Sequence, residues 1–246
     1  WVTFHQDGRV ALYPMYAVNR RWERREEMFE ILADDFGFRV EEIEDFSGFE
    51  EEDLFLEGTG SMILDRPNRL VYAALSERTD ASVLETFCNH FDYEPVTFTA
   101  YQTLDGKRVP IYHTNVMMCV GLDLAVICLE SLDNPNERKK VTEALKKSGK
   151  KIIDITEHQK LHFAGNMLNV KNNKGESILV MSSAAYHSLR PDQIADIERH
   201  AKILHSPLDT IEALGGGSAR CMMAEVFLPL QSEKATNGAA ASSTRS

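Results

Sequence analysis

The chain has 246 residues and a net charge of −11, from 27 Lys and Arg against 38 Asp and Glu. Its 43% hydrophobic and 26% charged residues are typical of a globular protein and exclude global disorder. The negative charge argues against a nucleic-acid surface, because phosphate binding requires clustered Lys and Arg. No apolar run approaches the roughly 20 residues of a membrane helix. The length allows one large domain or two small ones.

The cysteine pattern argues against both a disulfide scaffold and a zinc site. The four cysteines have no CxxC spacing and no neighbouring pair of histidines. No nucleotide or flavin signature is present either, because Gly58-Thr59-Gly60 is too short and wrongly placed for a dinucleotide loop. We therefore expect no metal and no cofactor, and a reducing compartment such as the cytoplasm.

The predicted elements repeat in the order strand, turn, strand, helix, strand, in units of about 45 to 55 residues. Asp7-Gly8 and Asp65-Arg66-Pro67-Asn68 predict the turns that join the first two strands of the first and second units. In chain order, the predicted elements are Trp1–Phe4, Arg9–Tyr13, Arg21–Asp34 and Phe38–Ile43; Ser61–Leu64, Leu70–Leu75, Ala81–Phe91 and Pro95–Ala100; Val116–Val120, Leu124–Leu129, Glu137–Ser148 and Lys151–Ile155; and Met167–Val170, Ser177–Met181, Pro191–Ala201 and Ser206–Ile211.

An incomplete fifth unit follows the four complete ones. Ala219–Leu228 predicts one strand without a helix, and such a remnant cannot bury a face by itself. We expect a strand and a helix upstream of Trp1 to complete a closed radial α/β arrangement, in one domain over residues 1–230. The alternative is an irregular α+β domain whose repeat is a coincidence. Gln231–Ser246, rich in Ala, Ser and Thr, predicts a disordered tail.

Cys221 follows a glycine-rich segment, Gly215-Gly216-Gly217-Ser218-Ala219-Arg220. Consecutive glycines indicate a backbone that approaches something closely or adopts positive φ. Beside Arg220, a cysteine after such a loop has the electropositive and accessible surroundings that make a thiol reactive. The alternative for Cys221 is a small buried hydrophobic role. That role is the one expected for the other three cysteines, Cys88, Cys119 and Cys128.

Two further residues occupy the equivalent place in other units. Glu57 and His113 precede the first strands of the second and third units, as Cys221 precedes the strand of the remnant. In a radial fold these positions converge at the axis, where a pocket is expected. A cysteine nucleophile needs a proton-transfer partner, and that partner needs an orienting carboxylate. By contrast, the basic run Arg20–Arg25, interleaved with glutamates, predicts a solvated helix face.

Four segments together resemble the guanidine-modifying enzymes, whose fold is the five-bladed α/β-propeller, or pentein. The resemblance covers Trp1 to about Pro229, and it is strongest to the amidinotransferase-like citrulline hydrolases of citrulline utilisation. Related chains carry a Phe-Pro-Asn-Asn-type loop before the position of Trp1, so we expect that loop upstream. The four segments are Glu57-Gly58-Thr59-Gly60-Ser61, Ser76-Glu77-Arg78-Thr79, His113-Thr114-Asn115 and Gly215-Gly216-Gly217-Ser218-Ala219-Arg220-Cys221-Met222.

The resemblance implies a role for each matching residue. Cys221 would attack the carbon of a guanidino or ureido group and form a covalent thiol-linked intermediate. His113 would protonate the leaving amine and then activate water. Glu57 would orient His113 and favour its charged form. Arg78 matches the arginine with which the family grips the α-carboxylate of the substrate.

Two departures from the family pattern bear on the substrate. Arginine deiminases and dimethylarginine hydrolases have an acid two residues after the histidine, where this chain has Asn115. Their Glu-Gly-Gly-Asp motif also ends in an acid, where this chain has Gly60. Losing two negative charges weakens the preference for a cation, and an amide can both donate to and accept from a neutral ureido group. We therefore predict hydrolysis of citrulline, with Arg78, Asn115, Gly60 and Gly217 in the substrate site.

Several alternatives remain open from the sequence. The same residues suit an arginine deiminase, a dimethylarginine hydrolase or an amidinotransferase, which would pass the amidino group to an amine. A binding protein without chemistry is the alternative from another class, although it would need none of Cys221, His113, Glu57 and Arg78. The expected partner is a free amino acid. The sequence does not decide between a monomer and a homodimer.

Overall fold

The computed structural model describes residues 1–231, which form a mixed α/β fold of small sheets. The described chain contains fourteen strands: β1 (Val2–Phe4), β2 (Arg9–Leu12), β3 (Glu42–Asp45), β4 (Met62–Asp65), β5 (Leu70–Ala74), β6 (Glu94–Phe98), β7 (Tyr101–Leu104), β8 (Lys107–Pro110), β9 (Met118–Val120), β10 (Leu124–Ile127), β11 (Lys151–Asp154), β12 (Leu168–Lys171), β13 (Ser177–Ser182) and β14 (Lys202–Ser206).

The helices include both α-helices and short 3-10 turns. The α-helices are α1 (Glu27–Asp34), α2 (Gly58–Ser61), α3 (Ala81–Phe91), α4 (Pro135–Lys147), α5 (Glu157–Leu161), α6 (Ser183–Ser188), α7 (Pro191–Glu198) and α8 (Asp209–Gly215). The 3-10 segments are Val18–Glu23, Ser47–Glu52, Thr114–Val116, Leu129–Ser131 and Ala219–Met222.

The predicted four-fold repeat is confirmed by the strand pairing. The sheets β1-β2-β3, β4-β5-β6, β9-β10-β11 and β12-β13-β14 each have three strands. In every one the first two strands are antiparallel and the last two are parallel. A helix connects the second strand to the third in each unit, because a parallel pair needs a crossover.

The second, third and fourth units lie side by side. Strand β4 contacts β9, and β9 contacts β12, so the first strands of these units are neighbours. The middle strands β5 and β10 are almost wholly buried, as their continuous apolar runs require. The largest core cluster, which includes Tyr72, Val126 and Leu179, extends across all three units. This arrangement fits the predicted radial order, while the number of blades and their closure stay predictions.

Capping residues define where two helices begin: α3 starts at its predicted first residue, whereas α4 starts at Pro135, before the predicted Glu137. Asp80 precedes α3, and its carboxylate accepts the backbone N–H groups of Ser82 and Val83 at 2.8 and 3.3 Å. Asn134 caps α4 through the N–H of Asn136, and Pro135 occupies the first turn. Helix α3 therefore spans Ala81–Phe91 as predicted.

The first unit departs from the prediction in its helix and its third strand. The predicted helix Arg21–Asp34 is broken at Arg24, where the backbone is extended. The guanidinium of Arg24 donates to the carbonyl of Tyr13 at 3.2 Å and pairs with Glu50, which draws the chain out of helical geometry. The predicted strand Phe38–Ile43 is displaced to β3, because Phe38 packs on the core instead of joining the ladder.

The end of the described chain departs most from the prediction. The predicted strand Ser206–Ile211 is wrong, because Pro207 ends β14 and Asp209 begins α8. The predicted strand Ala219–Leu228 is also wrong. Its first residues form the 3-10 helix Ala219–Met222, and no strand within residues 1–231 pairs with the remainder; the bridge between Phe38 and Leu230 lies beyond it. Apart from Gln231, the predicted tail lies outside the described residues.

Residues 1–231 contain no helix that is both long and apolar enough to span a membrane.

Candidate active site

The structure brings Glu57 and His113 into direct contact from two different units. Glu57 immediately precedes α2, which leads into β4. His113 immediately precedes the 3-10 turn that leads into β9. His113 Nε2 lies 2.5 Å from Glu57 Oε2, and the side chain of Glu57 is 1% exposed. The backbone N–H of Tyr16 donates to Glu57 Oε1 at 3.0 Å. The carboxylate is therefore fixed on both oxygens, and its contact leaves His113 Nδ1 available as a proton acceptor.

Two guanidinium groups flank the same carboxylate. Arg78 Nη1 lies 3.6 Å from Glu57 Oε2, and Arg20 Nη1 lies 3.9 Å from it. Glu23 contributes most to raising the pKa of Arg20, with smaller contributions from Glu57 and Cys221. The interpretation of Arg20 as part of a solvated face is therefore incomplete. Its side chain is 39% exposed and pairs with Glu23, but its guanidinium also approaches Glu57.

The electrostatics of the pair favour an anionic Glu57 and a neutral His113. Burial opposes ionisation of Glu57, but the hydrogen bond and charge of His113, the Tyr16 N–H and Arg78 together lower its pKa. Burial also lowers the pKa of His113 below 6.5. Glu57 raises that pKa, as predicted, but burial and the charges of Arg78 and Arg20 outweigh it. Glu57 thus favours the charged form of His113, as expected, but burial sets the net downward direction of the pKa.

Gly60 makes room for the imidazole of His113. A Cβ atom at Gly60 would lie 3.0 to 3.1 Å from three ring atoms of His113, closer than side chains normally pack. Gly60, in helix α2, thus allows the imidazole of His113 to pack closely against it. Its predicted contact with the substrate stays a prediction.

Cys221 lies in the 3-10 helix Ala219–Met222 and is exposed. Gly217 leaves space beside it, since a Cβ there would lie 3.1 Å from the sulfur. Asn115 Nδ2 is 3.9 Å from Cys221 Sγ, which connects the thiol to the His113 turn. Arg220, expected to make the thiol electropositive, instead pairs with Glu225 at 3.1 Å. The other three cysteines are buried, as predicted.

Arg78 lies between two tyrosine rings. Its guanidinium carbon is 5.3 Å from the ring centre of Tyr16 and 5.1 Å from that of Tyr112. Stacking of this kind holds a planar cation without consuming its donors. The buried Nε of Arg78 has no hydrogen-bond partner within residues 1–231. Arg78 is therefore a preorganised donor at the edge of the site.

Asn166 is the residue at the sulfur that sequence reasoning missed. Its Nδ2 lies 3.2 Å from Cys221 Sγ, and its side chain is buried. The signal was present, because Asn166 precedes the first strand of the fourth unit, β12, as Glu57 and His113 precede those of the second and third. The same equivalence of position, applied to the fourth unit, identifies Asn166.

No group of three or more metal-ligating side chains occurs within residues 1–231.

Comparison with known proteins gives a family match over most of the chain. The family model described as "N,N dimethylarginine dimethylhydrolase, eukaryotic" matches residues 1–228. No curated protein matches. Among solved structures, ArgZ, an arginine dihydrolase from the ornithine-ammonia cycle in cyanobacteria, aligns with a TM-score of 0.66 at 20% identity, over 93% of this chain and 32% of that one. The chain thus spans about a third of the length of ArgZ.

Two other solved structures have the same fold. A complex of AgrE with L-arginine aligns with a TM-score of 0.65 at 20% identity, over 94% of this chain and 31% of that one. A dimethylarginine hydrolase mutant from Pseudomonas aeruginosa in complex with citrulline aligns with a TM-score of 0.53 at 16% identity, over 88% and 70%. The predicted membership of the guanidine-modifying superfamily is confirmed.

Proposed function

Because the chain belongs to the eukaryotic N,N dimethylarginine dimethylhydrolase family, whose members hydrolyse carbon–nitrogen bonds, we propose that it is a cysteine hydrolase acting on a free amino acid with a terminal ureido group. Cys221 is the nucleophile, His113 the proton-transfer group and Glu57 its orienting carboxylate. Citrulline is the proposed substrate. Ornithine, ammonia and carbon dioxide are the products.

The charges around Glu57 and His113 are the observation that supports a neutral substrate. Glu57 contributes one negative charge, while Arg78 and Arg20 contribute two positive charges within 4 Å of its carboxylate. The lowered pKa of His113 keeps the imidazole neutral at neutral pH. Because Glu23 pairs with Arg20 at 3.0 Å, these charges cancel, so the surroundings offer no excess negative charge to attract a guanidinium, whereas a neutral ureido group needs none.

Two buried polar atoms without partners suggest how such a substrate is held. Asn115 Oδ1 is an acceptor that receives no hydrogen bond from any described residue, in a side chain that approaches the Cys221 sulfur. It would accept an N–H of the ureido group. The free Nε of Arg78 would donate to the α-carboxylate. Unpaired polar atoms are costly to bury, so a ligand that satisfies both gains affinity.

The proposed reaction uses these groups in two half-reactions. His113 Nδ1 takes the thiol proton as Cys221 attacks the ureido carbon, giving a tetrahedral intermediate. The intermediate collapses as His113 returns the proton to the leaving nitrogen, and ammonia departs from an S-carbamoyl enzyme. His113 then deprotonates a water that attacks the same carbon, the thiol is regenerated, and the carbamate released decomposes to carbon dioxide and ornithine.

Hydrolysis of a methylated arginine is the second candidate, and the family match favours it. The same nucleophile and proton-transfer group would expel dimethylamine and leave citrulline. This route would bring a cationic substrate to a site where Arg78 and Arg20 both lie within 4 Å of the Glu57 carboxylate. An amidinotransferase would in addition need an amine that competes with water for the intermediate.

Substrate profiling tests the proposal. Purified protein would be given citrulline, arginine or asymmetric dimethylarginine while ornithine, citrulline, ammonia and dimethylamine are followed. We expect ornithine and ammonia from citrulline, with far lower kcat/KM for the two cations. The variant Asn115→Asp is the matched comparison, and it should shift the ratio toward the cations by about tenfold, since it adds a charge beside the sulfur. Accumulation of citrulline from arginine or dimethylarginine as the preferred reaction would contradict the proposal.

A further inference from the structure

We propose that Asn166 is a catalytic residue that stabilises the anionic sulfur of Cys221 by donating a hydrogen bond from its side-chain amide. The inference rests on the proposed role of Cys221 as the nucleophile. It adds a fourth residue, from the fourth structural unit, to Glu57, His113 and Cys221.

The hydrogen bonds around Asn166 fix which way its amide faces. The backbone N–H of Arg220 donates to Asn166 Oδ1 at 3.1 Å, and Asn166 Nδ2 donates to the carbonyl of Asn115 at 3.0 Å. Rotating the amide by 180° would place the Nδ2 group against the N–H of Arg220, donor against donor. It would also place Oδ1 against the carbonyl of Asn115, acceptor against acceptor. The orientation that satisfies both partners places Nδ2, and not Oδ1, nearest to the Cys221 sulfur, at 3.2 against 3.6 Å. One N–H thus serves Asn115 and the second is available to the sulfur.

Gly165, which precedes Asn166, allows the backbone of the fourth unit to approach that of the third closely. A Cβ atom at Gly165 would lie 2.4 Å from the carbonyl oxygen of Val116 and 2.8 Å from Cα of Met117. Glycine is therefore required for the fourth unit to pack against the turn that follows His113. Asn166 itself is only 2% exposed, so water does not compete for its amide. The result is a rigid donor beside an exposed thiol.

The hydrogen bond acts on a defined stage of the reaction. A donor bonds more strongly to a thiolate than to a thiol, because charge-assisted hydrogen bonds are the stronger ones. Asn166 would therefore favour transfer of the thiol proton to His113 before attack. It would favour the same anionic sulfur when the second half-reaction expels it from the carbamoyl group. No other reactant is needed, since the proton moves only between Cys221 and His113.

Alkylation rates test this role without relying on turnover. The wild type, Asn166→Ala and Asn166→Asp would be treated with iodoacetamide across pH, and labelling of each cysteine followed by mass spectrometry. We expect Asn166→Ala to slow labelling of Cys221 at neutral pH by about tenfold, the size of one charge-assisted hydrogen bond. In Asn166→Asp, a carboxylate beside the sulfur should move the pH of half-maximal labelling upward by about one unit or more.

Matched controls separate this effect from loss of structure. Asn169→Ala removes an amide three residues away that bonds to Ser177 and Ile178 instead, and it should label as the wild type does. Protection of the buried cysteines reports that each variant is folded. Labelling of Cys221 at the wild-type rate and pH in both Asn166 variants would overturn the proposal. Slow labelling of Cys221 in the wild type, no faster than the buried cysteines, would instead overturn its role as the nucleophile.

Discussion

Replacing Cys221 by serine is expected to abolish turnover while leaving the fold intact. A serine hydroxyl in this site is a far weaker nucleophile than a thiol, because its higher pKa makes it much harder for the proposed base, His113, to deprotonate. Removal of a covalent nucleophile costs about 10³-fold or more in kcat. Because Cys221 is exposed, the free energy of unfolding should change by less than about 0.5 kcal/mol. Assays of ammonia release and thermal unfolding on the same preparation would measure both.

Cys88→Ser is the matched control for this substitution. Cys88 is 3% exposed in α3 and lies in the aromatic core of the first two units. A serine hydroxyl at this buried position would lose its hydrogen bonds to water and gain no dedicated partner in the protein. We therefore expect a loss of about 1 to 3 kcal/mol in unfolding free energy. The kcat of the folded fraction should be unchanged. A Cys221→Ser variant that turned over at the wild-type rate would refute the nucleophile assignment.

Replacing Glu57 by glutamine is expected to cost about 10²- to 10⁴-fold in kcat/KM, the range of general acid–base catalysis. The amide is isosteric, but it loses the charge that fixes His113 and balances Arg78 and Arg20. Glu137→Gln is the control, because Glu137 also accepts two hydrogen bonds, both from Thr99, and lies in another part of the fold. It should lower stability without changing kcat/KM of the folded enzyme.

The acid limb of the pH profile of kcat/KM should move in Glu57→Gln, in a direction set by the electrostatics of the Glu57–His113 pair. His113 must be neutral to take the thiol proton, and its pKa is already below 6.5 through burial, so the wild-type limb should fall below pH 6.5. Glu57 raises the pKa of His113, and Glu57→Gln should therefore move the limb to still lower pH. A limb that moved upward in Glu57→Gln would contradict this arrangement of charges.

Much of the fold could be predicted from the sequence because each unit carries its own periodicity. Buried central strands such as β5 and β10 are runs of apolar residues, and α3 and α4 have clear capping residues. The failures lie where long-range contacts decide the conformation. Arg24 reaches Tyr13 and Glu50 and interrupts a helix that local propensity favours. Strand propensity in Ala219–Leu228 has no effect without a neighbouring strand.

The site could be predicted in part for the same reason. Equivalent positions in successive units brought Glu57 and His113 together, at 2.5 Å, across 56 residues of sequence. Asn166 occupies the corresponding place, but an asparagine alone carries little chemical signal. Arg20 was missed because its neighbours in sequence resemble a solvated helix, and its approach to Glu57 is a contact between residues distant in sequence. The net direction of the pKa of His113 depends on burial, which no local sequence pattern reports.

Capture of the covalent intermediate is the most direct test of Cys221 as the nucleophile. The enzyme would be mixed with excess citrulline, quenched in acid within the first turnovers and analysed by intact mass and peptide mapping. We expect an adduct with the mass of the substrate less ammonia, located on Cys221, and none in Cys221→Ser. Product formation at full rate without any adduct, or an adduct located on another residue, would contradict it.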